Sequence, residues 1–425
     1  MNYAESIEYL NSFKKRGIKP GLDTTRSLLE ATGFSHDCLK AVVCGTNGKG
    51  STAMVLASIL QAQGLKTGLY TSPHLIDFRE RIRVDDCMIP KDEFAEIAGD
   101  IRDACEKKNL EPTFFEAVTV LALNHFMRSG VEAMVLEAGL GGRLDAVNAV
   151  DNDVAIVSSV GLEHTEILGD SIEAIAGEKA GVVEEGGILV TGEGDEAAFK
   201  AMRDHCMKVQ AEIVDVNPMI RYFKEDVEAI KFTLETPVDA YRLESRLHGR
   251  YQSKNIACAV YASEVLGAEG DAIIKGVLDA RVSGRLQFVQ KNPRVLMDCA
   301  HNTQAFKALI NYVKSLKYEN LYFILGFSKD KDVDSMMELL PETDFLFAAE
   351  SGNERAMDGD EIIRRYTGTS PSKSFRDVHS ALTYALTLAD EDDLIVVAGS
   401  IFLLGEAITY WRLTLEDYGY TECDS

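Results

Sequence analysis

Short apolar runs alternate with helix-spaced apolar residues along the first part of the chain. The run Ala41–Cys44 precedes an amphipathic stretch, Lys49–Gln63, and a second apolar run follows at Thr67–Thr71. A strand, a helix and a strand in this order form a right-handed unit with parallel strands. The same pattern predicts further strands at Val131–Leu136 and Asp153–Val160, and helices at 91–108, Thr113–Phe126 and Ser171–Val183.

The pattern changes between residues 186 and 245, where charged turns separate short apolar runs. The later runs predict a small, mostly antiparallel sheet beside the main one. The four runs are Ile188–Thr191, Ile213–Val216, Ala229–Leu234 and Tyr241–Leu243. Two helices are expected next, one opening at about Gln252 and one at Asp271–Asp279.

Arg281–Val289 is a candidate linker, because the alternation of strands and helices starts again beyond it. The later strands are predicted at Val295–Met297, Leu321–Leu325, Phe345–Ala349, Ser374–Phe375 and Leu394–Ala398. A chain of 425 residues also exceeds one ordinary core. We therefore predict an α/β protein of two domains. Residues 1–282 would form a domain with a parallel sheet and a small extra sheet, and residues 283–425 a smaller, doubly wound, Rossmann-like domain.

Composition narrows the possible partners and the compartment. The formal net charge of −24 argues against broad binding to nucleic acid or anionic membranes. No apolar run has the length of a membrane span, and the first ten residues lack the pattern of a secretion signal. The eight cysteines are scattered, as expected of reduced thiols. We expect a cytoplasmic protein, and a monomer, since no coiled-coil pattern is present.

The segment A-V-V-C-G-T-N-G-K-G-S, residues 41–51, has the order of a phosphate-binding loop: strand, glycine turn, lysine, helix. It departs from the usual spacing, because Val43 replaces the first glycine and Gly50 replaces the hydroxyl residue after the lysine. A glycine-rich turn with a solvated lysine is the other interpretation. The order of the elements favours phosphate binding by Gly45, Thr46, Asn47, Gly48, Lys49, Gly50 and Ser51. We therefore predict that residues 1–282 are a P-loop ATPase domain.

Three polar residues follow neighbouring predicted strands, where parallel sheets bind ligands. Ser72 is a candidate replacement for the magnesium hydroxyl, although an ordinary Ser-Pro turn explains it equally well. Glu137 ends an apolar strand, which is the Walker-B arrangement suited to Mg²⁺. His164 emerges from the same edge, and we expect a metal or phosphate role for it rather than a structural one.

Other candidates keep two interpretations. His74, Arg79, Arg81 and Arg83 form either an anion-binding loop or a solvated charged loop. Gln252 and Asn255 either read a base edge or cap a helix. Lys179 alone would be a salt-bridged surface lysine. In the second domain, the first strand ends in D-C-A-H-N, Asp298–Asn302.

Taken together in order, the motifs are highly specific: G-T-N-G-K-G-S, T-S-P-H-L with F-R-E-R-I-R, F-F-E, E-A-G-L-G-G-R-L-D-A-V-N, H-T-E-I-L-G, E-K-A-G, S-G-R-L and D-C-A-H-N. From about Tyr3 to about Trp411, the chain resembles the folylpolyglutamate synthase and dihydrofolate synthase family of the Mur ligase superfamily. The resemblance implies a ligase: ATP phosphorylates a folate-type carboxylate, L-glutamate attacks the acyl phosphate, and ADP and phosphate leave.

The resemblance also implies roles for individual residues. Lys49 and its loop would hold the phosphates of ATP, Ser72 and Glu137 one Mg²⁺, and Glu137 with His164 a second. Lys179 matches a lysine that the family carries as a carbamate, and a monovalent cation such as K⁺ fits the same chemistry. Across the linker, Arg285, Asp298 and His301 match residues that face the phosphates and the reaction centre. Asn255 matches the adenine side, and Ser72, Pro73, His74, Arg81, Phe115 and Glu116 match the folate side. Cys299 and Thr303 depart from the usual D-G-A-H-N-P without altering a charge.

Two other functions remain to be separated from this one. A peptidoglycan Mur ligase shares the ATP chemistry, but it would need a UDP-binding domain before the phosphate loop. A non-catalytic nucleotide-binding module would not need Glu137, His164 and Lys179 together with the residues of the second domain. The acceptor (dihydropteroate, a reduced folate or both) and the length of any polyglutamate product stay open.

Overall fold

The structure, a computed structural model, describes residues 1–226 and 228–411 and the backbone of 421–422. Within these residues, no helix combines the length and the hydropathy that a bilayer-spanning segment requires. The described residues form two large sheets flanked by helices, with a small antiparallel sheet beside the first, which confirms the predicted α/β class.

In the part of the chain that the structure describes, the first sheet has nine strands in the order β18-β4-β3-β2-β5-β1-β6-β7-β8. The six strands from β2 to β8 in this order are parallel, and β3 pairs antiparallel with β2. Their bounds are β1 Leu39–Cys44, β2 Thr67–Tyr70, β3 Ile82–Val84, β4 Cys87–Met88, β5 Ala133–Glu137, β6 Val154–Val157, β7 Ile188–Thr191, β8 Glu212–Asp215 and β18 Thr421–Glu422. The runs at 188 and 212 therefore extend the main sheet.

The small sheet is antiparallel, as predicted, and consists of β9 Ile220–Glu225, β10 Ile230–Glu235 and β11 Ala240–Ser245. Within the described residues, the second large sheet has the order β12-β13-β17-β14-β15-β16, and only β12 is antiparallel. Its strands are β12 Gln287–Lys291, β13 Arg294–Asp298, β14 Leu321–Leu325, β15 Phe345–Ala349, β16 Ser372–Phe375 and β17 Leu394–Ala398. The predicted linker thus contains an edge strand. The division at residue 282/283 stays a prediction.

Helices cover both faces of each large sheet, so that each face has its own apolar core. The helices are α1 Tyr3–Ser12, α2 Asp23–Ala31, α3 Lys49–Ala62, α4 Lys91–Lys108, α5 Phe114–Ser129, α6 Thr165–Leu168, α7 Ile172–Ala180, α8 Glu196–Lys208, α9 Gln252–Val265, α10 Gly270–Asp279, α11 Thr303–Ser315, α12 Val333–Met337, α13 Gly359–Arg365, α14 Val378–Leu388 and α15 Ile401–Thr409. Short 3₁₀ helices lie at Phe13–Arg16, Phe78–Arg81, Ala146–Ala149 and Asn217–Met219.

The cysteines match the expectation of reduced thiols only in part. Among the described residues, the free thiols are those of Cys38, Cys44, Cys105, Cys206, Cys258 and Cys299. Cys87 is disulfide-bonded, so the expectation of thiols throughout is wrong at this position. Cys423 lies outside the described residues.

A glycine fixes the packing of α3, the helix that opens at Lys49, against α10. A Cβ atom on Gly276 would lie 2.4 Å from the Cα and 2.7 Å from the backbone nitrogen of Ile59. Backbone cannot swing aside as a side chain does, so we expect Gly276→Ala to lower the free energy of unfolding by about 1–3 kcal/mol. Calorimetric melting measures this effect.

Gly99 supplies the matched control, since it lies inside α4 with no atom within 4 Å of a Cβ added there. Gly99→Ala should leave the stability unchanged or raise it by up to about 1 kcal/mol, because alanine loses less backbone entropy in a helix. Equal melting temperatures for the two variants would contradict the packing argument.

Candidate active site

The predicted phosphate loop joins β1 to α3 and has a backbone that only glycine adopts freely. Gly45 has φ +147° and Gly48 has φ +88°. A Cβ on Gly45 would lie 2.1 Å from the Oγ of Ser158, and one on Gly48 would lie 2.4 Å from the Oδ1 of Asn255. These positions therefore need glycine both for conformation and for space.

Two serines that the sequence analysis missed hold this loop. The hydroxyls of Ser158 and Ser159 donate to the carbonyl of Asn47 at 2.7 and 2.9 Å, and the Asn47 N–H donates to the Oγ of Ser159 at 2.9 Å. Both serines follow β6, so their signal was a polar pair at the end of an apolar strand. The neighbouring strand thus fixes the conformation of the loop.

Lys49 lies folded over its own loop. Its ammonium donates to the carbonyls of Gly45 at 2.9 Å and Thr46 at 3.2 Å. Neutral carbonyls do not cancel its charge, so the lysine carries a positive field into the space beside the loop. At Glu137, burial raises the pKa and the charge of Lys49 opposes that rise; at Lys179, burial lowers the pKa and the charge of Lys49 lowers it further.

A cavity of about 410 Å³ lies beside the loop and is lined by residues of both large sheets. It brings together most of the predicted site: Thr46, Asn47, Gly48, Lys49, Gly50, Ser51, Ser72, Pro73, Glu137, Asn255, Arg285, Asp298 and His301. Glu163 and Gln304 also line it and were not predicted. Gly45, His74, Arg81, Phe115, Glu116, His164 and Lys179 are outside its lining.

Glu137 is the buried acid of this cavity. Its Oε2 accepts from the N–H of Ser72 at 3.0 Å. Burial raises the pKa of Glu137, while the charges of Lys49, Arg285 and Arg81 and the Ser72 bond oppose that rise. In the described part of the chain, no cationic side chain lies within 4.0 Å of this carboxylate. A buried, unpaired carboxylate beside a serine, facing an open cavity, fits a divalent cation that takes its other ligands from phosphates and water.

His164 is outside the lining of the cavity that contains Ser72 and Glu137. Its side chain is 37% exposed, and its nearest carboxylates are Glu163 at 3.7 Å and Glu166 at 3.9 Å. His164 has φ +50° and precedes α6. Among the described residues, no group of three His, Cys, Asp or Glu side chains is placed to hold a metal ion without other ligands. The metal role of His164 stays a prediction.

Lys179 is buried in α7, with 3% of its surface exposed, and is therefore no surface lysine. Burial and the charge of Lys49 lower the pKa of Lys179 to about 8, although Cys44, Glu163 and Asp145 oppose the shift. At pH 7 about a tenth of the amine is then neutral, far more than for an ordinary lysine, and carbamate formation requires the neutral amine. Its modification stays a prediction.

The second sheet delivers Asp298 and His301 to the cavity from the end of β13. Asp298 accepts from the N–H groups of Leu286 and Ala300, each at 2.8 Å, which fixes the turn that carries Arg285. The Nδ1 of His301 lies 2.9 Å from the carbonyl of Cys299. Because a carbonyl only accepts, Nδ1 carries the hydrogen and Nε2 is an acceptor. Burial lowers the pKa of His301, which favours the neutral ring.

The loop from Ser72 to Arg83, which we call the acceptor loop, is ordered by a residue that was not predicted. Glu80 is buried, and its carboxylate accepts from the N–H groups of Leu75, Ile76 and Asp77 at 2.6–2.8 Å. The Nε of Arg81 donates to the Nδ1 of His74 at 2.8 Å. Burial and then the charge of Arg81 lower the pKa of His74 to about 3, so this ring is neutral.

Phe115 and Glu116, which were predicted for the folate side, each make a contact that supports the fold. Phe115 packs on Gly139, where an added Cβ would lie 2.6 Å from the ring. Glu116 accepts from the N–H of Thr113 at 2.7 Å and so closes the capping box of α5. Arg79, Arg81 and Arg83 are 4–8% exposed, so the interpretation as a solvated loop is wrong.

Contacts between the N-terminal and C-terminal halves surround the cavity, and two of them involve its loops. Asn47 exchanges side-chain bonds with Asn302 at 3.0 and 3.4 Å and donates to Gln304 at 2.9 Å. The acceptor loop contacts α15 at Gly405, where an added Cβ would lie 2.1 Å from the carbonyl oxygen of Leu75. The phosphate loop and the acceptor loop therefore both contact the C-terminal half.

Comparison with known proteins identifies this arrangement. Residues 43–263 match the Mur ligase middle domain, and residues 284–401 match the glutamate ligase domain of Mur ligases. The dihydrofolate synthase/folylpolyglutamate synthase of Escherichia coli is 31% identical over 93% of this chain and 92% of its own length. The chain belongs to the folylpolyglutamate synthase and dihydrofolate synthase family of Mur ligases. The resemblance inferred from the motifs is thereby confirmed.

Solved structures of the folylpolyglutamate synthase family share the fold of this chain over 97% of its length. Escherichia coli FolC in complex with DHPP and ADP superimposes with a TM-score of 0.89 at 29% identity, over 97% of this chain and 98% of that one. A bifunctional folylpolyglutamate synthase/dihydrofolate synthase with Mn, AMPPNP and L-glutamate bound gives 0.86 at 28% identity, over 97% and 98%.

A longer family member is also similar. The probable bifunctional folylpolyglutamate synthase/dihydropteroate synthase of Halobacterium salinarum is 36% identical over 100% of this chain but only 53% of its own length. The chain thus spans about half the length of this haloarchaeal relative.

Proposed function

We propose that this protein is an ATP-dependent ligase that joins L-glutamate to a folate-type carboxylate through an acyl phosphate, releasing ADP and phosphate. One observation carries the proposal: a single cavity is lined by the phosphate loop, by the carboxylate of Glu137, and by Arg285 and His301 of the C-terminal half. The names of the family members and the ligands bound in the solved relatives support it.

Each group has a task that its position allows. The loop and Lys49 position the phosphates of ATP, and Arg285 offsets the charge that develops during phosphoryl transfer. Glu137 and Ser72 would hold Mg²⁺, which supplies charge neutralisation at the transferring phosphoryl group. The Nε2 of His301 can accept a proton from the attacking amine. Contact of both loops with the C-terminal half keeps water from the acyl phosphate.

The finer assignments belong to the same proposal. They are a second Mg²⁺ at Glu137 and His164, a carbamate on Lys179, a monovalent cation such as K⁺, adenine beside Asn255, and a folate site at Ser72, Pro73, His74, Arg81, Phe115 and Glu116. We also propose a cytoplasmic monomer that acts on small molecules.

The test is glutamate-dependent release of ADP from Mg²⁺-ATP, run in parallel on dihydropteroate and tetrahydrofolate. We expect release with at least one acceptor and none without glutamate, because the amine must trap the acyl phosphate. Activity on both acceptors identifies a bifunctional synthase. Release without glutamate, or no release with either acceptor, would refute the folate ligase; in the second case, a different acceptor would be sought for a Mur-type ligase.

A further inference from the structure

The side chain of Asn47 reaches from the phosphate loop to the start of α11 in the C-terminal half. Its Oδ1 accepts from the Nδ2 of Asn302 at 3.0 Å, and its Nδ2 donates to the Oε1 of Gln304 at 2.9 Å. A longer bond of 3.4 Å runs from the same Nδ2 to the Oδ1 of Asn302. Asn47 and Gln304 both line the cavity, so this contact borders the candidate active site.

The N-cap of α11 sets the direction of these bonds. The Oδ1 of Asn302 accepts from the N–H of Ala305 at 2.9 Å, which is the capping bond of the helix. Because a backbone N–H only donates, the oxygen of the Asn302 amide faces the helix and its Nδ2 is left to donate to Asn47. The Oδ1 of Asn47 is the matching acceptor, and its own Nδ2 then faces Gln304. The two asparagine amides therefore fit each other in one orientation.

The backbone of Asn47 is bonded within the N-terminal half. Its N–H donates to the Oγ of Ser159, and its carbonyl accepts from the hydroxyls of Ser158 and Ser159. Loops of this kind hold anions by their backbone N–H groups, and the N–H of Asn47 is already paired with a serine. The polar groups of Asn47 thus connect the end of β6 on one side with the start of α11 on the other.

The bond to Asn302 acts on the turn that carries His301. Asn302 directly follows His301 in the chain, and His301 lines the same cavity as Asn47. The bonds of Asp298 to the N–H of Ala300 and of the His301 ring to the carbonyl of Cys299 set the shape of this turn inside the C-terminal half. The bond from Asn47 to Asn302 joins the turn to the phosphate loop.

We propose that Asn47 is a positioning residue: its side chain places His301 relative to the phosphate loop through Asn302 and Gln304, instead of binding phosphate itself. The task of His301 in this inference rests on the proposed function. A displacement of about 1 Å between reacting groups can lower a rate about 100-fold. Asn47 therefore affects the chemical step, whereas Lys49 and the rest of the loop bind the nucleotide.

The first test replaces Asn47 with alanine. We expect kcat to fall about 10- to 100-fold, because the turn with His301 loses its bond to the phosphate loop. The KM of ATP and the dissociation constant of ADP should stay within about threefold, since no phosphate contact is removed. Steady-state kinetics and calorimetric titration with ADP measure these quantities, and melting curves show whether the variant is folded.

Asn302→Ser tests the same contact from the other half. Serine caps a helix about as well as asparagine, but its side chain is too short to reach Asn47. This variant should lose as much kcat as Asn47→Ala, and the double variant should lose no more than either one, because both changes remove one contact. Asn302→Ser alone carries the kinetic test if Asn47→Ala does not fold.

Lys307→Ala is the matched control, since Lys307 is an exposed residue of α11 outside the cavity lining. It should keep wild-type kinetics. A raised KM for ATP with an unchanged kcat in Asn47→Ala would show that Asn47 binds phosphate and would overturn the inference. Losses that simply multiply in the double variant would overturn it as well, while wild-type ligation upholds the proposed function.

Hydrogen exchange decides the inference alone if the wild-type enzyme ligates neither acceptor and the proposed function fails. The peptide that spans residues 298–305 should exchange faster in Asn47→Ala than in the wild-type protein or in Lys307→Ala, because the turn opens more often without its bond to the phosphate loop. Faster exchange supports the positioning role. Equal exchange in all three proteins overturns it.

Discussion

Replacing Lys49 with alanine should reduce the rate of ADP release about 100- to 1000-fold, the loss usually seen when one preorganised donor at a transition state is removed. The ammonium already lies on the loop, bonded to the carbonyls of Gly45 and Thr46. It therefore needs little reorganisation to meet a phosphate. Steady-state kinetics at saturating ATP, acceptor and glutamate measure the effect on kcat.

Lys275→Ala provides the control for this variant, because Lys275 is an exposed lysine of α10, away from the cavity lining. It should keep wild-type turnover. Normal turnover by a correctly folded Lys49→Ala enzyme would refute the assignment of the loop to phosphate binding. Melting curves of both variants distinguish lost chemistry from lost folding.

Removing Lys179 should lower turnover about 10- to 100-fold if its carbamate orients a ligand of the reaction centre. The amine is buried, and its pKa is lowered to about 8. Only the neutral amine adds CO₂, so carbamate formation should increase as the pH rises through 8 at constant dissolved CO₂. Enzyme freed of CO₂ and then given bicarbonate should regain more activity at pH 8.5 than at pH 7.

Two variants separate a carbamate from a merely structural lysine. Lys179→Ala leaves space in which formate or acetate can restore part of the activity, whereas Lys179→Arg keeps a charge and leaves no such space. A Lys179→Ala enzyme that folds but gains nothing from small carboxylates, together with a wild-type enzyme indifferent to bicarbonate, would count against the modification.

The sequence predicted those elements whose apolar runs are continuous and buried. The strands Leu321–Leu325, Phe345–Ala349 and Leu394–Ala398 have the predicted bounds, because both of their faces are covered. β12 was assigned to a linker, since it is a partly exposed edge strand with glutamine and lysine in its sequence. The β3–β4 hairpin was missed because charged residues dominate its segment and the buried state of Arg83 is set by tertiary contacts.

Residues of the candidate site were predictable where an acidic or hydroxyl side chain ends or directly follows an apolar strand, as for Glu137, Ser72 and Asp298. Residues that hold a loop in its conformation were not predictable in this way. Ser158 and Ser159 support the phosphate loop from a neighbouring strand, and Glu80 orders the acceptor loop through three backbone N–H groups. Such roles depend on which segments meet in space, and local patterns do not specify this.

The contact of Leu75 with Gly405 limits how the two halves of such an enzyme can be recombined. A carbonyl of the acceptor loop lies where any side chain at position 405 would begin. A hybrid made from the N-terminal half of this chain and the C-terminal half of a relative would therefore be expected to assemble only if the donor carries glycine at that position. Shuffling of the halves, in the laboratory or in evolution, is thus restricted by one residue that takes no part in the chemistry.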